Sequence, residues 1–111
     1  MNNTSSATGQ VSGNTAGSQS SRLRDYAWVR GFNYQPSWGS HGITIWNDFR
    51  EATFIREIDL GLKYFPKLNT LRIWFSYDAH VADPGRFLAA AKRAAWILAE
   101  RKIKMIPVFF N

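Results

Sequence analysis

The stretch Leu71-Arg72-Ile73-Trp74-Phe75 is the most informative part of the sequence, because it is an apolar run interrupted by a single charge. Such a run is typical of a strand that is buried on both faces of a parallel sheet. Asn69-Thr70 leads into it, and Pro66 ends the helical pattern that precedes it. We therefore predict a strand here, with a helix on each side of it along the chain.

Two further strands are predicted on either side of this one. The run from Tyr26 to Asn33 mixes aromatic and β-branched residues and breaks into a long aromatic loop. Lys104 opens another apolar run, which continues to Phe110 and contains Pro107. Proline is tolerated at an edge or at an irregular position of a sheet, so we expect this third strand to lie at an edge.

Two helical patterns separate the predicted strands. The first predicts a helix from Asp48 to Tyr64. Its apolar residues are Phe54, Ile58, Leu62 and Phe65. The second predicts a helix that starts at Asp83-Pro84, an N-cap followed by proline at the first helical position, and continues to about Arg101. Its apolar face consists of Phe87, Ala91, Ala94 and Leu98.

Strands that alternate with helices predict an α/β fold with a parallel sheet, whose functional residues gather at the carboxyl ends of the strands. We expect residues 25–111 to be the N-terminal portion of a (β/α)8 (TIM) barrel, truncated after three strands and two helices. Residues 1–24 are rich in Ser, Thr, Asn and Gly, and we expect a disordered tail or linker there.

Composition excludes some classes of protein. The chain has no cysteine, which rules out disulfides and thiolate metal sites. No secretory signal or transmembrane segment is visible, and the compartment stays open. The net charge is +6 at pH 7, but the basic residues are scattered, and a solvated helix face explains them better than a phosphate-binding stripe. We expect no nucleic-acid partner and no membrane partner.

Arg72 is the residue with the strongest functional implication. A guanidinium in a buried strand is costly unless a carboxylate or several acceptors meet it. One interpretation is that Arg72 lies at the mouth of the barrel and orients a catalytic carboxylate, which its bidentate geometry suits. The other is a structural ion pair with Asp78, Asp83 or an acid outside this sequence.

Aromatic and amide side chains are the candidate ligand contacts. Trp38, Trp46, Trp74 and Tyr34 are candidates for stacking on sugar rings, with core packing as the alternative. Asn33 and Asn111 each end a strand and are candidates for hydrogen bonds to hydroxyl groups, or are turn formers. We expect Trp28 and Trp96 to pack in the core.

Other kinds of chemistry find little support in the sequence. His41 and His80 lack the spacing of a metal site, so we expect neither a metal nor any other cofactor. The sequence has no serine or cysteine nucleophile motif and no phosphate-binding loop. Asp78 and Asp83 follow the second strand, but their positions do not suggest a pair of catalytic carboxylates.

The segment from Arg30 to Asn111 resembles the N-terminal part of a clan A glycoside hydrolase of the cellulase-like family 5 type. Three motifs carry the resemblance, one for each predicted strand. They are Arg30-Gly31-Phe32-Asn33-Tyr34, Asn69-Thr70-Leu71-Arg72-Ile73-Trp74 and Lys104-Met105-Ile106-Pro107-Val108-Phe109-Phe110.

This resemblance implies a barrel that hydrolyses a β-linked polysaccharide or oligosaccharide with retention, and it makes an extracellular location possible. The acid/base glutamate would follow strand four and the nucleophile would lie on strand seven, so we expect this chain to be inactive alone. Arg72 matches the arginine that contacts the nucleophile in that family. Asn33, Tyr34, Trp38 and Trp74 fall where substrate-lining residues lie. The alternative is a non-catalytic fragment that binds carbohydrate.

Overall fold

The computed structural model describes residues 25–109, which form a three-stranded parallel sheet with helices packed on it. The strands are β1 (Gly31–Tyr34), β2 (Thr70–Trp74) and β3 (Lys104–Val108). The helices between them are α1 (Gly42–Asn47), α2 (Glu51–Tyr64), α3 (Tyr77–Ala82) and α4 (Pro84–Glu100). The predicted α/β class and the three parallel strands are confirmed, although each connection holds two helices instead of one.

The central strand is β2, which pairs in parallel with β1 on one side and with β3 on the other. In this register Arg72 lies between Asn33 and Ile106, and Ile73 lies beside Pro107. Within the described residues β3 has a neighbouring strand on one side only, and the predicted edge position of Pro107 stays a prediction.

The core lies on one face of the sheet. Leu71 and Ile73 of β2 are 1% and 0% exposed, and they belong to one cluster with Phe54 and Ile58 of α2 and Ile97 of α4. Burying a side chain of this size stabilises the fold by about 1.5–3 kcal/mol. The helices therefore attach to the sheet through the odd-numbered residues in the middle of β2.

Arg72 is exposed, so the prediction that it is buried is wrong for the described part of the chain. Successive side chains of a strand point to opposite faces of a sheet. Because Leu71 and Ile73 face the helices, Arg72 points to the opposite face, which the described residues leave open. The sequence pattern suggested burial on both faces, but the described helices cover only one.

Helix α4 agrees with its prediction. The carboxylate of Asp83 accepts a hydrogen bond from the backbone N–H of Arg86 at 3.1 Å, and Pro84 occupies the first helical position. The predicted apolar face is turned inward. It contains three buried residues, Ala91, Ala94 and Leu98, and the partly buried Phe87.

Helix α2 ends at Tyr64 as predicted but begins at Glu51, three residues after the predicted Asp48. Asp48 instead follows the last residue of α1 and forms an ion pair with Arg50 at 3.0 Å. Arg50 is the N-cap of α2 and makes no side-chain capping bond. Residues 48–50, which were predicted to start α2, instead form the connection between α1 and α2.

Strand β1 is shorter than predicted, because residues 26–28 form a turn in which the N–H of Val29 donates to the carbonyl of Tyr26. The side chain of Asn69 fixes the entry to the strand. Its amide donates to the carbonyl of Trp28 at 2.9 Å and its oxygen accepts from the N–H of Arg30 at 2.8 Å. The side chain of Asn69 therefore forms the hydrogen bonds to the backbone of residues 28–30 that a neighbouring strand would form if β1 were longer.

The tryptophans differ from expectation in both directions. Trp46, a candidate for sugar stacking, is 0% exposed in the core. Trp28 and Trp96, predicted to pack in the core, are 45% and 61% exposed, and Phe65 is 57% exposed. Trp96 adjoins Ile97 and Leu98 on α4, and those two residues take the inward positions of that turn.

A glycine pair tests the sheet register. A Cβ added at Gly31 would overlap the carbonyl oxygen of Thr70, whereas one added at Gly61 in α2 would meet only Leu68 Cδ2 at 3.6 Å. We expect Gly31→Ala to lower the free energy of unfolding, measured by urea titration. Gly61→Ala, the matched control, is expected to raise it by about 1 kcal/mol through helix propensity. Equal effects of the two substitutions would contradict the close approach of β1 to β2.

Candidate functional site

A cavity of about 730 Å³ opens at the carboxyl ends of the strands. It is lined by residues at the end of β1 and in the following loop, at the end of β2 and the start of α3, and directly after β3. Its lining residues are Tyr34, Gln35, Pro36, Ser40, Gly42, Ile45, Trp74, Phe75, Ser76, Tyr77, Asp78 and Phe109. Since parallel strands share the direction of their ends, this is the edge of the sheet where functional residues were expected.

On the β1 side, Tyr34 is held by an acid from helix α2. Its hydroxyl donates to Glu57 Oε1 at 2.6 Å. Burial, and then the hydrogen bond to the Glu57 carboxylate, raise the pKa of Tyr34 far above its ordinary value. Tyr34 is therefore neutral at physiological pH, and its hydroxyl hydrogen is already used in the hydrogen bond to Glu57.

On the β2 side, the backbone of Trp74 is held by a hydrogen bond from a core residue. The Trp74 carbonyl accepts a hydrogen bond from the indole N–H of the buried Trp46 at 3.0 Å. Its ring is half-buried and lies 4.7 Å from the guanidinium carbon of Arg72. Such a cation–π contact contributes about 0.5–1 kcal/mol at an exposed site.

Arg72 and Asn33 lie side by side on the open face of the sheet, because the register pairs them across β1 and β2. A guanidinium nitrogen of Arg72 is 3.5 Å from Asn33 Oδ1, which is a long hydrogen bond. Among the ion pairs of the described residues, none includes Arg72. The alternative interpretation, a structural pair with Asp78 or Asp83, is not seen in the described residues. Asp83 caps α4 and lies 3.8 Å from Arg86.

The far wall is built around the start of α3. The hydroxyl of Ser76 accepts from the N–H of Ala79 at 3.1 Å and so caps this helix. Gly42, at the start of α1, lies so close to Ser76 that a Cβ there would overlap the serine side chain. Phe109, after β3, closes the wall by contacting Phe75 with ring centroids 5.5 Å apart.

The cavity has one carboxylate among its described lining residues, Asp78, which is exposed at the start of α3. Most other acids are engaged elsewhere. Glu51 forms a two-bond ion pair with Arg93, with distances of 2.6 and 2.9 Å. The pair between Arg101 and Asp59, at 2.7 Å, likewise joins α4 to α2. These bonds to arginine lower the pKa of Glu51 and of Asp59.

The predicted site residues thus fall into three groups. Tyr34 and Trp74 line the cavity, and Asn33 and Arg72 lie next to it on the open sheet face. Trp38 packs against the core instead: its indole N–H donates to the carbonyl of Ile45 at 3.2 Å, and its ring meets Phe49. The remaining candidate, Asn111, lies outside the described residues.

Several residues that shape or support the cavity were not predicted. Ser76, Gly42 and Glu57 have structural roles that only the fold makes evident. A signal was available for Ser76, since serine ahead of an acidic first turn is typical of a helix N-cap. Glu57 offered a weaker signal, because it lies three residues after Phe54 and next to Ile58, at the border of the apolar face of α2.

His41 and His80 are both exposed. Residues 25–109 contain no cluster of three or more His, Cys, Asp or Glu side chains that could hold a metal ion. In the same range, every helix is too short or too polar to cross a membrane. Comparison with known protein families, with curated proteins and with solved structures finds no match.

The described lining of the cavity combines aromatic surface with a few polar groups. Tyr34, Trp74 and Tyr77 offer aromatic surface, while Gln35 and Asp78 offer polar groups at the same opening. A cavity with apolar walls and a few polar groups is the usual form of a small-molecule site. Glycoside hydrolysis needs two carboxyl groups across the scissile bond, and the described lining supplies one.

The state of Tyr34 gives a prediction at alkaline pH. The unfolded chain releases this proton near pH 10, whereas the folded chain retains it, so the folded state loses stability as the pH rises above about 10. We expect folded wild type and Tyr34→Phe to show equal tyrosinate absorbance at about pH 11. In denaturant at that pH, the unfolded wild type should show the absorbance of one tyrosinate more than unfolded Tyr34→Phe. A larger absorbance of the folded wild type would contradict the buried, bonded phenol.

Proposed function

We propose that this chain forms the first three strands of a (β/α)8 barrel glycoside hydrolase that acts on a β-linked polysaccharide with retention. The support is positional. The strands run in parallel in the order β1-β2-β3, and the core lies on one face of the sheet. A barrel requires this arrangement, with helices outside and the other sheet face inside.

The start of a doubly wound dinucleotide-binding sheet has the same strand order and is the main structural rival. Such a sheet needs a glycine-rich turn that brings the first helix close to a pyrophosphate. The chain has instead Gln35-Pro36-Ser37-Trp38-Gly39-Ser40-His41 between β1 and α1. This loop favours the barrel.

The orientation of Arg72 and its lack of an ion pair in the described residues are the main support for the proposal. Arg72 points away from the helices and lies beside Asn33, and in the described residues no acid forms an ion pair with it. In a complete barrel this face would be the interior, where an unpaired guanidinium is costly. A nucleophilic glutamate from a later strand would supply the missing charge and would be held ionised by it.

The residues of this chain would then have defined roles. Arg72 would orient the nucleophile, Trp74 and Tyr34 would line the substrate site, and Asn33 would hold the guanidinium by its amide oxygen. The chain alone would not hydrolyse substrate, because a retaining enzyme needs two carboxyl groups roughly 5 Å apart.

Carbohydrate binding without catalysis is the second candidate. The observation that favours it is that the cavity of about 730 Å³ is built from residues of this chain alone. On this interpretation the aromatic wall would bind a sugar, and Arg72 would be a surface residue stacked on Trp74.

The coding sequence beyond the codon for Asn111 tests the first proposal. We expect the reading frame to continue into a strand that ends in Asn-Glu, with a second strand-end glutamate further on. A stop codon directly after Asn111 would rule out the enzyme for this chain and leave the binding candidate.

Titration with a soluble β-glucan tests the second candidate. If the chain binds, Trp74→Ala should weaken affinity by roughly two- to tenfold, the equivalent of about 0.5–1.5 kcal/mol for one aromatic contact. Trp96→Ala is the matched control, because Trp96 is exposed on α4 and does not line the cavity. Absence of binding, or equal losses in both variants, would contradict binding at this cavity.

A further inference from the structure

Glu57 accepts three hydrogen bonds, one from Tyr34 at the end of β1 and two from Ser37 in the loop that follows. Its Oε1 accepts from the Tyr34 hydroxyl at 2.6 Å and from the backbone N–H of Ser37 at 3.3 Å. Its other oxygen, Oε2, accepts from the Ser37 hydroxyl. The Glu57 carboxylate on α2 is thus bonded to the residue on each side of Gln35-Pro36.

We propose that Glu57 is a positioning residue that fixes the loop of residues 35–41 and thereby sets the shape of the cavity wall. The two residues between its anchors, Gln35 and Pro36, both line the cavity. Pro36 is buried, although it lies in a loop. Anchors on both sides leave this dipeptide little freedom to move. The inference rests on the proposed function only in assigning the cavity to a sugar ligand.

The bonding pattern argues against a role for Glu57 as a general acid. Glu57 does not line the cavity, and both of its oxygens are already bonded to the loop. Partial burial acts to raise the pKa of Glu57, but the hydrogen bonds from Ser37 and Tyr34 outweigh it, and the pKa is lowered. A general acid needs the opposite shift. The charge instead strengthens the bonds, since hydrogen bonds to an ionised acceptor are the stronger kind.

The consequence for a ligand is one of fit. Because Gln35-Pro36 is already held in one conformation, less conformational entropy is lost when a ligand binds. The affinity therefore depends on Glu57, although Glu57 does not contact the ligand. Loss of the anchor should therefore loosen the loop first, while the core of α2, which contains Phe54 and Ile58, stays folded.

Hydrogen exchange at the Ser37 amide in the full chain tests the inference, because this N–H donates to Glu57 directly. We expect Glu57→Ala to speed its exchange by roughly ten- to a hundredfold. Glu57→Gln keeps an acceptor oxygen and should have a smaller effect. Glu51→Ala is the matched control on the same helix, since Glu51 bonds Arg93 and not the loop.

Unchanged exchange at Ser37 in Glu57→Ala would overturn the proposal. If that variant fails to fold, Tyr34→Phe and Ser37→Ala each remove one of the bonds, and faster exchange is expected in both. Exchange needs no ligand, so its result stands apart from the proposed function. Soluble β-glucan is the separate probe of the ligand class: a looser loop with unaltered glucan affinity would overturn the role of Glu57 in positioning the wall.

Discussion

The alternation of side chains along β2 is the constraint on which the rest of the structure depends. Leu71 and Ile73 are buried against the helices, so the residue between them must point the other way. Parallel pairing then places Asn33 and Ile106 beside Arg72. A shift of the strand by one residue would exchange the two faces, burying the guanidinium against α2 and α4 and exposing two core residues.

The same strand also connects the core to the cavity. Trp46 of α1 is completely buried and bonds the carbonyl of Trp74, so the last residue of β2 is fixed by a helix that precedes the strand in sequence. Two residues after Trp74 the chain reaches Ser76, which caps α3 and packs on Gly42. The cavity is therefore formed by packed elements and by the loop of residues 35–41.

Some of this could be predicted from the sequence, and the reasons are local. The start of α4 is encoded by Asp83-Pro84, where a side-chain cap and a fixed φ act within a few residues. The third strand was likewise evident, because Pro107 and the apolar run around it are compatible with an edge. The parallel α/β class followed from the order of these patterns along the chain.

The rest depended on contacts between residues far apart in sequence. Helix α1 is only six residues long, and its buried residues Ile45 and Trp46 pack against elements that a local pattern does not contain. The burial of Arg72 was mispredicted because an apolar run does not say how many of its faces are covered. Glu57 was missed because its partners, Tyr34 and Ser37, lie twenty or more residues earlier.

We propose that Arg72 points into the interior of a retaining glycosidase. The most direct measurement is the intact mass of the natural protein after treatment with an activated 2-fluoro glycoside, which traps the glycosyl-enzyme of a retaining mechanism. We expect a mass well above the 12.7 kDa of this chain and one added glycosyl group, carried by the glutamate that Arg72 would contact. A mass of 12.7 kDa with no added group would contradict it.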